Sequence, residues 1–405
     1  AIGGVINVVS SEGGGAPHGQ VQLEGGQLGL LRTRGTVAGG MKENRFVYSA
    51  GLTHLNIASG LDGDDDARNT SGQGFARWNI TPAASLSGRL LASNVFARLN
   101  DSPYDAPNLP ATGVVKATTL AVSQQRLLEA GQLFTLGNLT FIPDLNDPDY
   151  RRQANFFAGA LRFNHALSER VSYQLSYQSL LTARSFLDGP RGIRFEPDFN
   201  TRSDFNARID TANARLDWLA GHVNQLTAGY EFERESFNEH DTDENPKPAE
   251  RTDARINVNQ RSHALFIQDQ LRLLSQRLQI SLAGRAQFFQ LSRPQFFGGA
   301  PVFTNASFPA PPTAFTGDGS VAYFIKTSGT KLRVHAGNGY RAPSLYERFG
   351  TGFFGGFFSA YGDPRLRPDR SIAVDGGVEQ SLAHGRVRAS ATYFYTRLQE
   401  VTTFD

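Results

Sequence analysis

The feature that most constrains this chain is an alternation of period two, sustained over roughly 10 to 15 residues at a time. In residues 171–178, Val171, Tyr173, Leu175 and Tyr177 alternate with Ser172, Gln174, Ser176 and Gln178. An extended strand carrying that pattern has one apolar and one polar face. From 277 to 288 the scheme repeats, with Leu278, Ile280, Leu282, Ala286 and Phe288 set against Arg277, Gln279, Ser281, Arg285 and Gln287. Near the end Val387, Ala389, Ala391, Tyr393 and Tyr395 oppose Arg388, Ser390 and Thr392. Polar faces rich in Arg, Gln and Glu suit a wet lumen better than the dry core of a sandwich.

Such segments recur about fifteen times, and they are longer than the roughly 5 or 6 residues usual in soluble sheets. Short turns near 42–44, 82–84, 166–169, 220–222, 275, 328–329 and 384–385 alternate with long loops near 59–69, 100–152, 185–205, 237–258, 292–312 and 341–370. Short connections on one rim and long ones on the other describe an all-β, antiparallel up-and-down transmembrane β-barrel with its long loops facing outward. The expected wall has Arg, Gln and Glu inside and Leu, Val, Tyr and Phe outside. In the longest loop, residues 116–134, with Leu120, Leu127, Leu128 and Glu129, fit either a helix or a pair of loop strands.

Composition removes the competitors. With 19% charged residues and a mean hydropathy of -0.34, the chain has no run near the roughly 18 apolar residues of a spanning helix. A barrel passes that test because only alternate residues face lipid. The absence of cysteine rules out disulfides, thiolate metal sites and a cysteine nucleophile. Forty Lys and Arg spread among 38 Asp and Glu, for a net charge of +2, do not make a nucleic-acid surface. The repeat of roughly 40 to 50 residues that marks a propeller does not occur. No phosphate-binding glycine motif, Ser-His-Asp order or HExxH element stands out, so no enzyme is expected and no cofactor is assigned.

Three segments carry a family resemblance. The opening AIGGVINVVS, residues 1–10, is similar to the closing strand of the plug domain of TonB-dependent outer-membrane receptors. GYRAPSLYERFG, residues 339–350, resembles the family's late-barrel FRAP-type segment, with Tyr340 in the Phe position. DPRLRPDRS, residues 363–371, resembles the NPxLxPExS stretch that leads into the next strand, with Asp363 for Asn and Asp369 for Glu. Pro343, Pro364 and Pro368 cannot donate ladder hydrogen bonds, so they mark exits from the sheet and entries to it. Arg341, Arg348, Arg365, Arg367 and Arg370, beside Glu347, Asp363 and Asp369, are placed to tie a long loop to the wall.

The resemblance implies a barrel of about 22 strands filled by an N-terminal plug, with uptake powered through TonB. On that basis residues 1–15 are expected to close the plug and 16–405 to form part of the barrel. Most of the plug, the TonB-contacting box and several last strands are expected to lie outside the sequence, so this piece alone should not transport. The partners implied are TonB, the outer-membrane bilayer of a Gram-negative cell and a small metal chelate, a ferric siderophore ahead of cobalamin. A passive porin is the rival reading, and it has no use for a plug strand.

Ligand contact is expected from aromatics concentrated in two outer loops, Phe296 and Phe297, then Phe353, Phe354, Phe357, Phe358 and Tyr361, together with Arg341. The bland reading of the aromatics is loop packing or an interfacial girdle. Asp62, Asp64, Asp65 and Asp66 offer hard oxygen ligands in one loop, where a solvated acidic loop is favoured over a Ca²⁺ site. Haem receptors of the family usually carry a histidine between the two late motifs, whereas none lies between Arg341 and Arg370 and His240 is the histidine assigned to an outer loop.

Overall fold

The structure, a computed structural model, describes residues 12–59, 66–99, 147–192, 196–298, 303, 307–354, 356–382 and 386–402. The expected plug strand at 1–10, the acidic residues Asp62, Asp64 and Asp65, segment 116–134 and the turn at 384–385 lie outside them.

In chain order the strands are β1 (His18–Gly25), β2 (Leu31–Met41), β3 (Phe46–Ile57), β4 (Ala67–Thr81), β5 (Ala84–Arg98) and β6 (Arg151–Ala166). They continue with β7 (Val171–Asp188), β8 (Thr201–Ala220), β9 (Asn224–Asp243), β10 (Asp253–Leu273), β11 (Leu278–Leu291) and β12 (Gln295–Phe297). After these come β13 (Ala314–Ile325), β14 (Thr330–Arg341), the helix α1 (Leu345–Phe349), β15 (Thr351–Phe354), β16 (Phe357–Ala360), β17 (Asp369–Leu382) and β18 (Val387–Gln399). Fifteen strands follow one path, β1 to β11 and then β13, β14, β17 and β18, with the short β12 added on the edge of β10. Sequential neighbours pair antiparallel throughout, for example Ser176 with Asn213 and Leu282 with Gly319. β15 and β16 form a separate hairpin.

Side chains sort as the alternation requires. Leu282 and Phe288 are 56% and 44% exposed on the outer face. Arg285, between them, turns inward to Glu231 at 2.5 Å, and Gln287 donates to Ser262 at 3.0 Å. Gln174 donates to Asn164 at 2.8 Å in the same lumen. The short turns fall where expected, at 42–45, 82–83, 167–170, 221–223, 274–277 and 326–329.

Two expected loops are in large part wall instead. β7 runs on to Asp188 and β8 starts at Thr201; β9 runs on to Asp243 and β10 starts at Asp253, so that β8, β9 and β10 reach 20, 20 and 21 residues. The reason is an inversion of polarity within one strand. On β9, the outward Leu226, Ala228, Tyr230 and Phe232 give way to Arg234, Ser236, Asn238 and His240. The inward face changes the other way, and Phe205, Phe237, Ile256 and Val258 are buried. Pairing continues while the apolar face changes sides.

The strands are also tilted against the apolar belt. A single register row runs from the outward Leu90 through Gly159, Ser179 and Asp210 to Arg234 and Arg261, leaving the belt and entering a charged zone. That drift along a row is what strand tilt in a barrel wall produces.

Ahead of β1, Glu12 lies on the lumen side of the wall. The Glu12 carboxylate pairs with Arg77, which alternates with the outward Trp78 and so faces inward. Gly13, Gly14 and Gly15 then turn with φ of 83°, 114° and 70°. A Cβ on Gly13 would stand 2.1 Å from the Tyr48 carbonyl oxygen, so only glycine fits there.

Candidate functional site

The loop between β14 and β17 folds back onto the wall and closes part of the mouth. Pro343, Pro364 and Pro368 sit outside the ladder, as their chemistry demands. Ser344 caps α1 in both directions, accepting from Glu347 N at 3.2 Å while Glu347 accepts from Ser344 N at 2.7 Å, a reciprocal capping box. Arg341 then grips both feet of the loop, with Nη1 2.9 Å from Glu347 and Nε 2.6 Å from Asp369. Asp369 is buried and also accepts from Thr402 N at 3.1 Å.

The helix docks by burying Leu345 and Phe349 against Phe205, Phe237, Ile256 and Val258. Full burial of each such side chain is worth roughly 1.5 to 3 kcal/mol. Arg348, also buried, finds no carboxylate among the described residues: Nη2 donates to the Pro309 and Pro364 carbonyls at 2.8 and 2.9 Å, and the guanidinium lies 5.1 Å over the Phe349 ring. Burial pulls its pKa below the ordinary arginine value. Its role is to knit two loops to the helix.

Above the belt, β9 holds the loop with acids. Glu239, only 2% exposed, accepts Thr351 N at 3.0 and 3.1 Å, and Asp241 accepts Thr351 Oγ1 at 2.7 Å and Ser203 Oγ at 2.5 Å. Glu235 accepts Leu345 N at 3.4 Å. Burial, helped by the neighbouring Asp241 charge, pushes Glu239 up to about 9, and burial raises Asp241 despite its hydroxyl partners. Burial and Glu239 together raise the Tyr361 hydroxyl. Glu239 and Asp241 did not emerge from the sequence because 237–258 read as a loop, and Glu235 lies just ahead of it. The signal was present: Glu231, Glu233, Glu235, Glu239 and Asp241 keep one parity across the inversion.

The aromatics separate into two groups. Phe353 and Phe358 touch across the hairpin at 5.7 Å, while Phe354 and Phe357, 85% and 80% exposed, face solvent at its end. Phe296 on β12 contacts Phe303 and Phe308 at 5.3 and 5.7 Å, and Phe308 meets Phe349, which joins this group to α1. Phe297 is exposed. Tyr361 lies between hairpin and helix, 5.6 Å from Tyr346. Among the loop arginines, Arg365 pairs with Asp363 at 3.0 Å and Arg367 with Glu400 at 3.3 Å.

Of the acidic loop, Asp66 pairs with Arg98 at 3.0 Å. His240 is on strand β9 instead of a loop, bonded to Asp253 at 2.9 Å, because β9 outruns its expected end. A different acidic group, Asp147, Asp149, Asp188 and Glu196, brings carboxylate oxygens within 4.8 Å of one another at the rim, a spacing a hard cation could use. Burial, then the charges of Glu196 and Asp188, raise Asp147 to about 7.

The fold is shared with known receptors. The ferric yersiniabactin uptake receptor FyuA from Yersinia pestis superposes with a TM-score of 0.68 at 14% identity, covering 98% of this chain and 57% of that one. The ferric-catecholate import receptor Fiu from E. coli K12 gives 0.67 at 11%, with 98% and 60% covered. The ferripyoverdine receptor of the outer membrane of Pseudomonas aeruginosa gives 0.64 at 10%, with 96% and 49% covered. The chain thus spans between 49% and 60% of the length of these proteins. No curated protein matches the sequence. Residues 77–405, from inside β4 to the end, match the TonB dependent receptor-like, beta-barrel family, and the chain belongs to that family.

Proposed function

We propose that the protein to which this chain belongs is an active receptor of the bacterial outer membrane that imports a ferric siderophore, with cobalamin the second choice of substrate. The observation that carries the reading is the mouth: a loop built from the family's late motifs is docked inward and carries Phe353, Phe354, Phe357, Phe358 and Tyr361, while Phe296 and Phe297 belong to a second aromatic group that meets its helix through Phe308. Exposed rings on a short hairpin supply contact area for a bulky chelate. Arg341, though engaged at the loop's feet, keeps a side chain 40% exposed and is retained as a ligand contact. The wall performs no covalent chemistry in this scheme.

Entry of Glu12 from the lumen side supports residues 1–15 as the end of a plug, and hence energy input through TonB. The relatives named above, described as uptake and import receptors for iron chelates, support the substrate class. The test is radiolabelled ferric siderophore uptake by the full-length receptor, with and without TonB. Saturable uptake that needs TonB and falls when the four hairpin phenylalanines become Ser is expected, and it should survive loss of any single His. Unsaturable, TonB-independent entry would establish a porin, and unchanged uptake after the Phe replacement would remove the hairpin from the site.

A further inference from the structure

On the lumen face of the wall, under the docked loop, four oxygen-bearing side chains form a block. Glu235 and Gln260 are register partners on β9 and β10, and Glu233 and Ser262 are the next pair on the same face. All four share parity with the buried Phe237 and Val258, and so face inward. Opposite side chains in a ladder stand about 5 Å apart and successive ones on one face about 7 Å. One small ion between the strands therefore lies within reach of all four.

The block is short of positive charge and of donors. Arg285 reaches across β10 to Glu231 at 2.5 Å, and neither Glu233 nor Glu235 has an ion-pair partner among the described residues. Gln260 is 6% exposed, and its Oε1 is enclosed without a hydrogen-bond partner among the described residues. A buried amide oxygen in that condition is costly. Ser262 accepts from Gln287 at 3.0 Å and keeps a second lone pair. From above, Leu345 N donates to Glu235 at 3.4 Å while its side chain packs in the core with Val258, so α1 roofs the block. Burial, then the charges of Glu233 and Glu347, push Glu235, which lies above the belt, up to about 7.

We infer that Glu233, Glu235, Gln260 and Ser262 hold a hard divalent cation, Ca²⁺ ahead of Mg²⁺, beneath α1, and that the ion reinforces docking of the loop. Two carboxylates, an amide oxygen and a hydroxyl are all hard oxygen donors. One proton would neutralise one carboxylate and leave the other charged, whereas a divalent cation balances both and meets Gln260 Oε1 as well. Oxygens fixed on two strands make an irregular set, which Ca²⁺ tolerates and the strict octahedron of Mg²⁺ does not, with lumen water completing the shell. The inference is independent of what the receptor imports.

The test uses full-length receptor in detergent, stripped with a chelator and titrated with calcium or magnesium at one fixed pH. Hydrogen exchange across 342–362 reads docking, and dialysis against radiolabelled calcium reads binding. Calcium should raise protection of the loop about tenfold in the wild type, and magnesium less. Glu233→Gln with Glu235→Gln should abolish that response while the loop still docks in chelator, since the exchange removes the repulsion and keeps an acceptor for Leu345 N. Gln260→Leu should weaken calcium binding about tenfold. Asp149→Asn with Asp188→Asn, at the rim group, should leave the response intact. Equal protection of the wild-type loop in calcium and in chelator would overturn the inference without reference to any variant. So would a response that survives the wall variant or is lost in the rim variant. Equal loosening by Gln260→Leu in calcium and in chelator would make the amide a hydrogen-bond partner of Glu235 alone, and would overturn it too. Siderophore uptake is measured separately, so failure of the import reading leaves the calcium result standing.

Discussion

The same strands solve opposite problems at their two ends. In the belt, β9 turns Leu226, Ala228, Tyr230 and Phe232 outward and Glu231 inward to Arg285. At the mouth it turns Arg234 and Asn238 outward and buries Phe237 against α1. The backbone ladder is indifferent to the change, since every N–H and C=O finds its neighbour in either zone. What differs is the solvent on each side, lipid outside and water inside below, then water outside and packed protein inside above. The inside-out arrangement is therefore a property of a zone, not of the barrel.

The largest test of that contrast is Phe349→Ala. It should cost about 3 to 5 kcal/mol of loop docking, seen as lost hydrogen-exchange protection across 342–362 while the belt strands keep theirs. Equal loss in both zones would mean that mouth and belt form one cooperative unit. Next is a charge placed on the outer face at two heights. Leu282→Arg, in the belt, should lower stability in lipid vesicles by about 2 to 4 kcal/mol, whereas Asn238→Arg should stay within about 0.5 kcal/mol. Similar urea midpoints for the two would place the belt wrongly.

A smaller effect is expected from Glu347→Ala, which removes the capping box and one arm of Arg341. About 1 to 2 kcal/mol of docking should go, and Glu347→Gln should recover part of it by restoring the cap. A probe that needs no substitution is pH. Because Glu239 is raised from 4.5 to about 9 in the docked state, docking binds a proton that the released loop does not. Its contribution is complete below about 4.5 and declines as pH rises, by about 1.4 kcal/mol per unit at most, until it is lost above about 9. Loop protection measured across that window should fall with pH, and Glu239→Gln should flatten the slope. A wild-type slope that rises would contradict the assignment.

The wall was legible because lipid and lumen impose a strict alternation, which is why Leu282, Arg285, Gln287 and Phe288 fall on their expected faces. The late motifs were legible as a loop tied to the wall, and Arg341 does tie it. The upper halves of β8 to β10 were not. Once Phe237 and Val258 turn inward and His240 and Asn257 outward, a reading that expects apolar residues outside sees a broken pattern. Glu239 and Asp241 were lost with it, since a buried acid has no signature apart from the partner it meets, here a threonine 112 and 110 positions away. Arg348 looked like one more loop cation, and only its carbonyl partners separate it from Arg365.

The register pair Arg341 and Asp369, bridged at 2.6 Å, has an evolutionary consequence. It pinches the loop shut at its base, so that the segment between behaves as a cassette whose ends are already joined. Lengthening a loop whose ends are fixed adds little entropy cost, about 0.6 kcal/mol per doubling. Insertions, deletions and wholesale exchanges at the hairpin tip are then nearly neutral for the wall, while the same changes outside the clasp would disturb strand register. The hairpin tip inside the clasp can therefore change in length and sequence without rebuilding the structure that holds it.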